Sequence, residues 1–313
     1  MMFLQILISL VFATSVFAAP SVGHVGSEHV GAESYVTFGT GHMSEKSHVQ
    51  NGRVGSNGRH VTERTGPMND KSSHSVIVNN DVNYGVAVDP YVPGLFYSGD
   101  LAKCLKTAGW QTVFIRGFKI DGNGMFDSNS IASVKNAYNA GLGIEIYMEP
   151  QPNGVLQGSQ QLDMMVQGLS NEGIVIRAMW LKVSDLGVWS ADRNHNVVFI
   201  TSVITRAQQL GLTIGIFTDS KAWNQITNNY VTASTVQLWY YSQSPYVSHG
   251  GNANFDDFIP FAGFNAPLVK QWSTYDSICS YKLSQNVYAI GITPKKSTFV
   301  APEGKIVVGG IGL

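Results

Sequence analysis

Gly143-Ile144-Glu145-Ile146-Tyr147-Met148-Glu149-Pro150 is the stretch on which the fold turns. Successive side chains of a strand point to opposite faces, so Ile144, Ile146 and Met148 lie on one side and Glu145, Tyr147 and Glu149 on the other. The apolar side suits a covering layer of helices. The polar and aromatic side suits the axis or mouth of a closed sheet.

Seven further β-rich runs flank it: Gly85–Asp89, Thr112–Phe118, Ile176–Val183, Thr213–Thr218, Thr235–Tyr241, Ala266–Trp272 and Val287–Ile292. Helical patterns separate most of them, at Ser98–Ala108, Ser128–Ala140, Gly158–Leu169, Val197–Leu210 and Ala222–Thr227. Strands alternating with helices indicate a parallel sheet, and eight of them suggest a closed barrel. The last three strands are joined by loops or one short helix, Phe255–Phe261, which leaves the helical ring incomplete. A doubly wound open sheet competes, but the first strand runs into Val88-Asp89-Pro90-Tyr91 and carries no Gly-rich phosphate loop. The expected fold class is α/β: an eight-stranded β/α (TIM-like) barrel over residues 82–293, a single domain after a disordered leader.

The chain of 313 residues carries 20 Lys+Arg against 21 Asp+Glu, and this balance leaves no basic footprint for nucleic acid. Residues 1–19 read as a signal peptide: Ile6–Phe12 is apolar and Val16-Phe17-Ala18-Ala19 closes the run with small residues, though no Lys or Arg precedes it. The run is short of the ~20 apolar residues that a membrane span needs. Residues 20–80 are rich in Gly, Ser, Asn and His and hold six of the eight histidines, a disordered leader whose histidines could bind Zn or Cu or respond to pH. The two cysteines, Cys104 and Cys279, pair in an exported chain, closing a long loop worth roughly 4–5 kcal/mol; two buried free thiols are the alternative. The tail, residues 294–313, shows no pattern, and the chain has no Asn-x-Ser/Thr glycosylation site.

Barrel chemistry sits at the C-terminal ends of the strands. Polar and aromatic residues there are Asp89, then Glu145, Tyr147 and Glu149 toward the barrel axis or mouth, then Trp180, Lys182 and Ser184, then Asp219, Trp239, Tyr241, Gln271 and Trp272. Carboxylates beside aromatic rings suit carbohydrate, since rings stack on sugar faces and paired carboxylates perform glycoside hydrolysis. The same residues also serve as ion pairs and packing inside barrels, and residue type alone does not separate the two.

At these positions the sequence resembles glycoside hydrolase family 25, the invertebrate and protist-type lysozymes, and closely its divergent nematode branch. The stretches include Val86-Ala87-Val88-Asp89 with Val92-Pro93, Cys104 through Gly109, Glu145-Ile146-Tyr147-Met148 with Pro150-Gln151-Pro152, Gly215-Ile216-Phe217-Thr218, Leu238-Trp239-Tyr240 and Val269-Lys270-Gln271-Trp272, across residues 84–288. The resemblance implies a secreted barrel with an incomplete helical ring that acts on bacterial peptidoglycan in innate defence or digestion, and it supports the Cys104–Cys279 disulfide. It makes Asp89, Glu145 and Glu149 the acidic candidates and Tyr147, Trp239, Tyr241 and Trp272 the candidate substrate contacts. The partner is cell-wall glycan; neither cofactor, metal, membrane nor nucleic acid is expected, and the chain is expected to be a monomer.

One departure stands out. Active members carry Asp-x-Glu at the end of the fourth strand, and here the string reads Trp180-Leu181-Lys182-Val183-Ser184. An ammonium among carboxylates favours their ionised forms, whereas a glycosidase acid must hold a proton. Two readings follow: a lysozyme working through Glu149 with Asp89 or Glu145, or a glycan-binding barrel that has lost the chemistry.

Overall fold

The computed structural model describes residues 83–241, 251–290 and 302–311. The signal-peptide and His-rich leader readings lie outside them. The eight barrel strands are β1 (Asn83–Pro90), β2 (Thr112–Lys119), β4 (Gly143–Met148), β6 (Ala178–Lys182), β7 (Thr213–Thr218), β8 (Gln237–Tyr241), β9 (Val269–Ile278) and β10 (Tyr281–Ile290). They pair in the order β1-β2-β4-β6-β7-β8-β9-β10, and β10 returns to β1 to close the barrel. All eight strand positions expected from the sequence are present.

The closure is mixed rather than all-parallel: β10 runs antiparallel to both β9 and β1. The cause is local. Cys279 and Ser280 occupy the left-handed region, at φ 51° and 66°, and form a two-residue turn that reverses the chain. Cys279 in that turn is bonded to Cys104, so the disulfide ties the hairpin to the first helix.

Helices α1 (Gly99–Thr107), α2 (Asn129–Asn139), α3 (Gly158–Ser170), α4 (Arg193–Gln209) and α5 (Ser220–Thr227) cover the barrel from β1 round to β8. Side-chain caps set several starts: Ser98 accepts from Leu101 N, Asp192 from Asn194 N and His195 N, and Asp219 from Ala222 N. The helices bury the outer barrel face, including Val88, Ile115, Ile146, Met179, Leu181, Ile216 and Leu238. Each such side chain contributes about 1.5–3 kcal/mol on leaving water. The inner face packs Ala87, Phe114, Tyr147, Trp180, Phe217, Trp239 and Val269 against one another.

No helix forms at 255–261, contrary to expectation. Phe258 N bonds only back to Phe255 O, and Pro260 lacks a donor. The segment is instead pinned by the fully buried Lys270, whose ammonium donates to Asn252 O, Asn254 O and Asp257 Oδ1 at 2.6–3.0 Å. The run Ile176–Val183 also divides. Ile174–Ile176, β5, leaves the barrel to pair in parallel with β11 (Ile306–Val308), while β3 (Met125–Phe126) extends β2 at the other end. Thus residues 302–311 of the patternless tail pack at the base of the barrel.

Candidate functional site

The mouth is formed where β1, β2, β4 and β6 end. A cleft of about 360 Å³ opens there, lined by Pro93, Arg116, Glu149, Lys182, Ser184 and Trp189 among others. Its central group is the Glu149 carboxylate. Glu149 Oε2 accepts from Arg116 Nη1 at 2.9 Å, and Oε1 faces the Lys182 ammonium at 3.5 Å. Arg116 in turn donates from Nε to Asp127 Oδ2 at 2.8 Å. All four side chains are largely shielded, with at most 16% of any of them exposed.

Lys182 lies over the faces of Tyr147 and Phe217, 4.6 and 5.2 Å from the ring centroids. Tyr147 is fully buried beneath it, and its hydroxyl has no hydrogen-bond partner among the described residues. The barrel alternation explains the cluster: Arg116, Glu149 and Lys182 hold inward positions at the strand ends, directly above the aromatic layer to which Tyr147 belongs.

Asp89 is also inward but sits deeper, 1% exposed. Its oxygens accept from Gln271 Nε2 at 2.9 and 3.0 Å and from Asn286 Nδ2 at 2.7 Å. Burial raises its pKa, opposed by the Lys182 charge and by the Asn286 and Gln271 amides. Lys182 therefore acts on Asp89 through its field while its nearest carboxylate is Glu149.

Glu145 belongs to the other end. It lies four residues before Glu149, about 13 Å along the strand. Its Oε1 accepts from Gly310 N and Ile311 N at 2.6 and 2.8 Å, and its Oε2 from Trp180 Nε1 at 2.9 Å. Burial pushes this carboxyl up to about 7 against the pull of those three donors. The structure does not bring Glu145 together with Asp89 and Glu149 at the mouth; it is the anchor of the C-terminal segment.

The aromatic candidates also separate. Trp239 is fully buried, stacked on Phe114 at 4.1 Å with its Nε1 donating to Asn286 Oδ1, and offers no face to a ligand. Trp272 follows Gln271 at an irregularity in the β9–β10 register, where Gln271 pairs with Asn286 and Ser273 with Gln285, and it is half-buried. Tyr241 stacks on Phe217 at 5.0 Å and stays half-buried at the inner rim. Asp219 caps α5, and Asp185 accepts from Gly187 N in its own turn while lining the cleft. Among the described residues no three His, Cys, Asp or Glu cluster as metal ligands.

Residues 80–272 match the family model described as Lysozyme-like protein 1. The chain belongs to the lysozyme-like family. Lysozyme-like protein 1 of Caenorhabditis elegans is 44% identical over 251 residues, spanning 75% of this chain and 82% of the relative. Probable GH family 25 lysozyme 2 of Dictyostelium discoideum is 31% identical over 186 residues, 59% of this chain and 83% of that protein. The bacterial lysozyme from Streptomyces coelicolor shares the fold at a TM-score of 0.50 and 18% identity, covering 67% of this chain and 93% of its own. The chain is thus a GH25-type lysozyme-like barrel.

Within this lysozyme-like frame, Arg116 and Asp127 are the mouth residues that the sequence reading missed. Arg116 had a signal: a lone cation at an inward position of the apolar run Val113–Phe118. Asp127 had none, since it follows the two-residue β3 and meets Arg116 only through the fold.

Proposed function

We propose that this lysozyme-like protein is exported and holds bacterial cell-wall glycan in the cleft at its barrel mouth, in defence or digestion, as a binder rather than a hydrolase. The carrying observation is Glu149. A general acid needs a proton aimed at the leaving oxygen, and here one carboxylate oxygen faces Lys182 and the other takes Arg116. The family's Asp-x-Glu positions hold Lys182 and Ser184, so no second carboxylate stands beside it on β6. The Cys104–Cys279 bond and the apolar N-terminal run support export, because disulfides persist in oxidising compartments.

The test is co-sedimentation of the purified protein with insoluble peptidoglycan. Retention in the pellet, competed away by soluble glycan fragments, is expected; protein left wholly in the supernatant would remove the reading. A hydrolytic second reading rests on Asp89, which burial holds above its ordinary value. That reading requires clearing of a peptidoglycan suspension that Asp89→Asn abolishes.

A further inference from the structure

The β9–β10 hairpin rises beyond the barrel at the same end as the cleft. Near the point where β10 parts from β1, the hairpin carries a deformation. Leu283 pairs with Asp276, but Gln285 pairs with Ser273, so Thr274 and Tyr275 together oppose the single residue Ser284. This is a β-bulge, and Tyr275 in it adopts φ 64°, a left-handed conformation that is an outlier for a bulky residue. The bulge is held by Asp276 Oδ2, which accepts from Ser273 Oγ at 2.6 Å and Gln285 Nε2 at 2.9 Å.

The strain turns a ring outward. Tyr275 is 52% exposed and Tyr91 47%, and their rings meet edge to face at 4.8 Å. Lys282 Nζ sits 4.3 Å from the Tyr275 centroid, and Tyr91 N is tied to Lys282 O at 3.3 Å. Tyr91 continues through exposed Val92 to Pro93, which lines the cleft. Strained backbone that presents an aromatic face beside a site is a functional signature.

We infer that Tyr91 and Tyr275 form a stacking shelf for a second stretch of the glycan chain, extending the cleft toward the hairpin. This rests on the glycan-binding reading above. The ligand class is a β-linked amino-sugar oligomer, too long for the cleft alone, whose pyranose C–H faces lie on the tyrosine rings. Ring faces carry negative charge density and favour such weakly positive C–H surfaces.

The experiment is calorimetric titration of the full disulfide-bonded chain with the N-acetylglucosamine dimer and hexamer. The wild type is expected to bind the hexamer ~10-fold more tightly than the dimer, the scale of one or two aromatic contacts. Tyr275→Gly and Tyr91→Ala are each expected to erase most of that gain and leave dimer affinity unchanged, while Tyr275→Phe and Tyr91→Phe keep it. Tyr275→Gly also relieves the positive φ, so its melting temperature should equal or exceed that of the wild type, which separates lost binding from lost folding. A hexamer preference retained in both Tyr275→Gly and Tyr91→Ala, or absent from the wild type, overturns the shelf. A wild type that binds neither oligomer overturns the cleft reading together with it.

Discussion

Glu149 holds two cations in place, so its replacement by glutamine leaves Lys182 without its paired carboxylate and Arg116 with Asp127 alone. With 14–16% of each side chain still open to solvent, the expected loss is about 1–2 kcal/mol, below that of a fully buried ion pair. Urea unfolding of Glu149→Gln measures it; an unchanged midpoint would show that the cluster carries no stability. Glu145 makes a different prediction. Its folded pKa of about 7 exceeds its ordinary 4.5, so between those values the folded chain keeps a proton that the unfolded chain has released. Stability from this group is then full below the lower value, falls as pH rises and levels off above the upper one, a loss of about 3 kcal/mol. Asp89, also raised, acts in the same direction. In Glu145→Gln the Glu145 share of the fall disappears, and parallel stability curves for the two proteins would contradict the assignment. At this scale the sequence was half legible. Alternation along β4 put Glu145, Tyr147 and Glu149 on the inner face, but it says nothing about depth, and depth decides between a mouth residue and a base anchor. The same limit hid Trp239, whose inward position is packed against Phe114.

Two elements that the barrel pattern does not require hold its ends. The Cys104–Cys279 bond closes a separation of 175 residues and ties α1 to the β9–β10 turn. Replacing both cysteines with alanine is expected to cost about 5 kcal/mol at most, seen as a lower denaturation midpoint with unchanged far-UV circular dichroism. The second element is the C-terminal segment, where β11 pairs with β5, Gly309 N donates to Ile144 O at 2.8 Å and Ile311 joins the inner core. Gly309 adopts φ 83°, and a Cβ there would lie 2.2 Å from Ala178 O. Gly309→Ala should therefore destabilise by more than ~2 kcal/mol, through strain and clash together, and a neutral result in thermal melts would mean that the segment docks otherwise. The eight barrel strands were legible because each is an apolar run several residues long between turn signals. β11 was not, because three residues, Ile306-Val307-Val308, between glycines and lysine carry no period. The direction of β10 was hidden for a related reason: it follows from left-handed backbone at Cys279 and Ser280, residues that ordinarily avoid it.

As a whole molecule, this chain keeps the closed barrel of its lysozyme-like relatives and sets a cation in its mouth. Lys182 lies on two aromatic rings beside Glu149, and Arg116 holds the same carboxylate from the other side. A cleft built in this way is expected to retain glycan and not to cut it. The most direct test is the release of reducing ends from purified peptidoglycan, assayed from pH 4 to 8 beside a co-sedimentation control. The prediction is protein in the pellet with reducing ends at the level of a protein-free blank throughout. Reducing ends that rise with time, and that Asp89→Asn or Glu149→Gln abolishes, would contradict it.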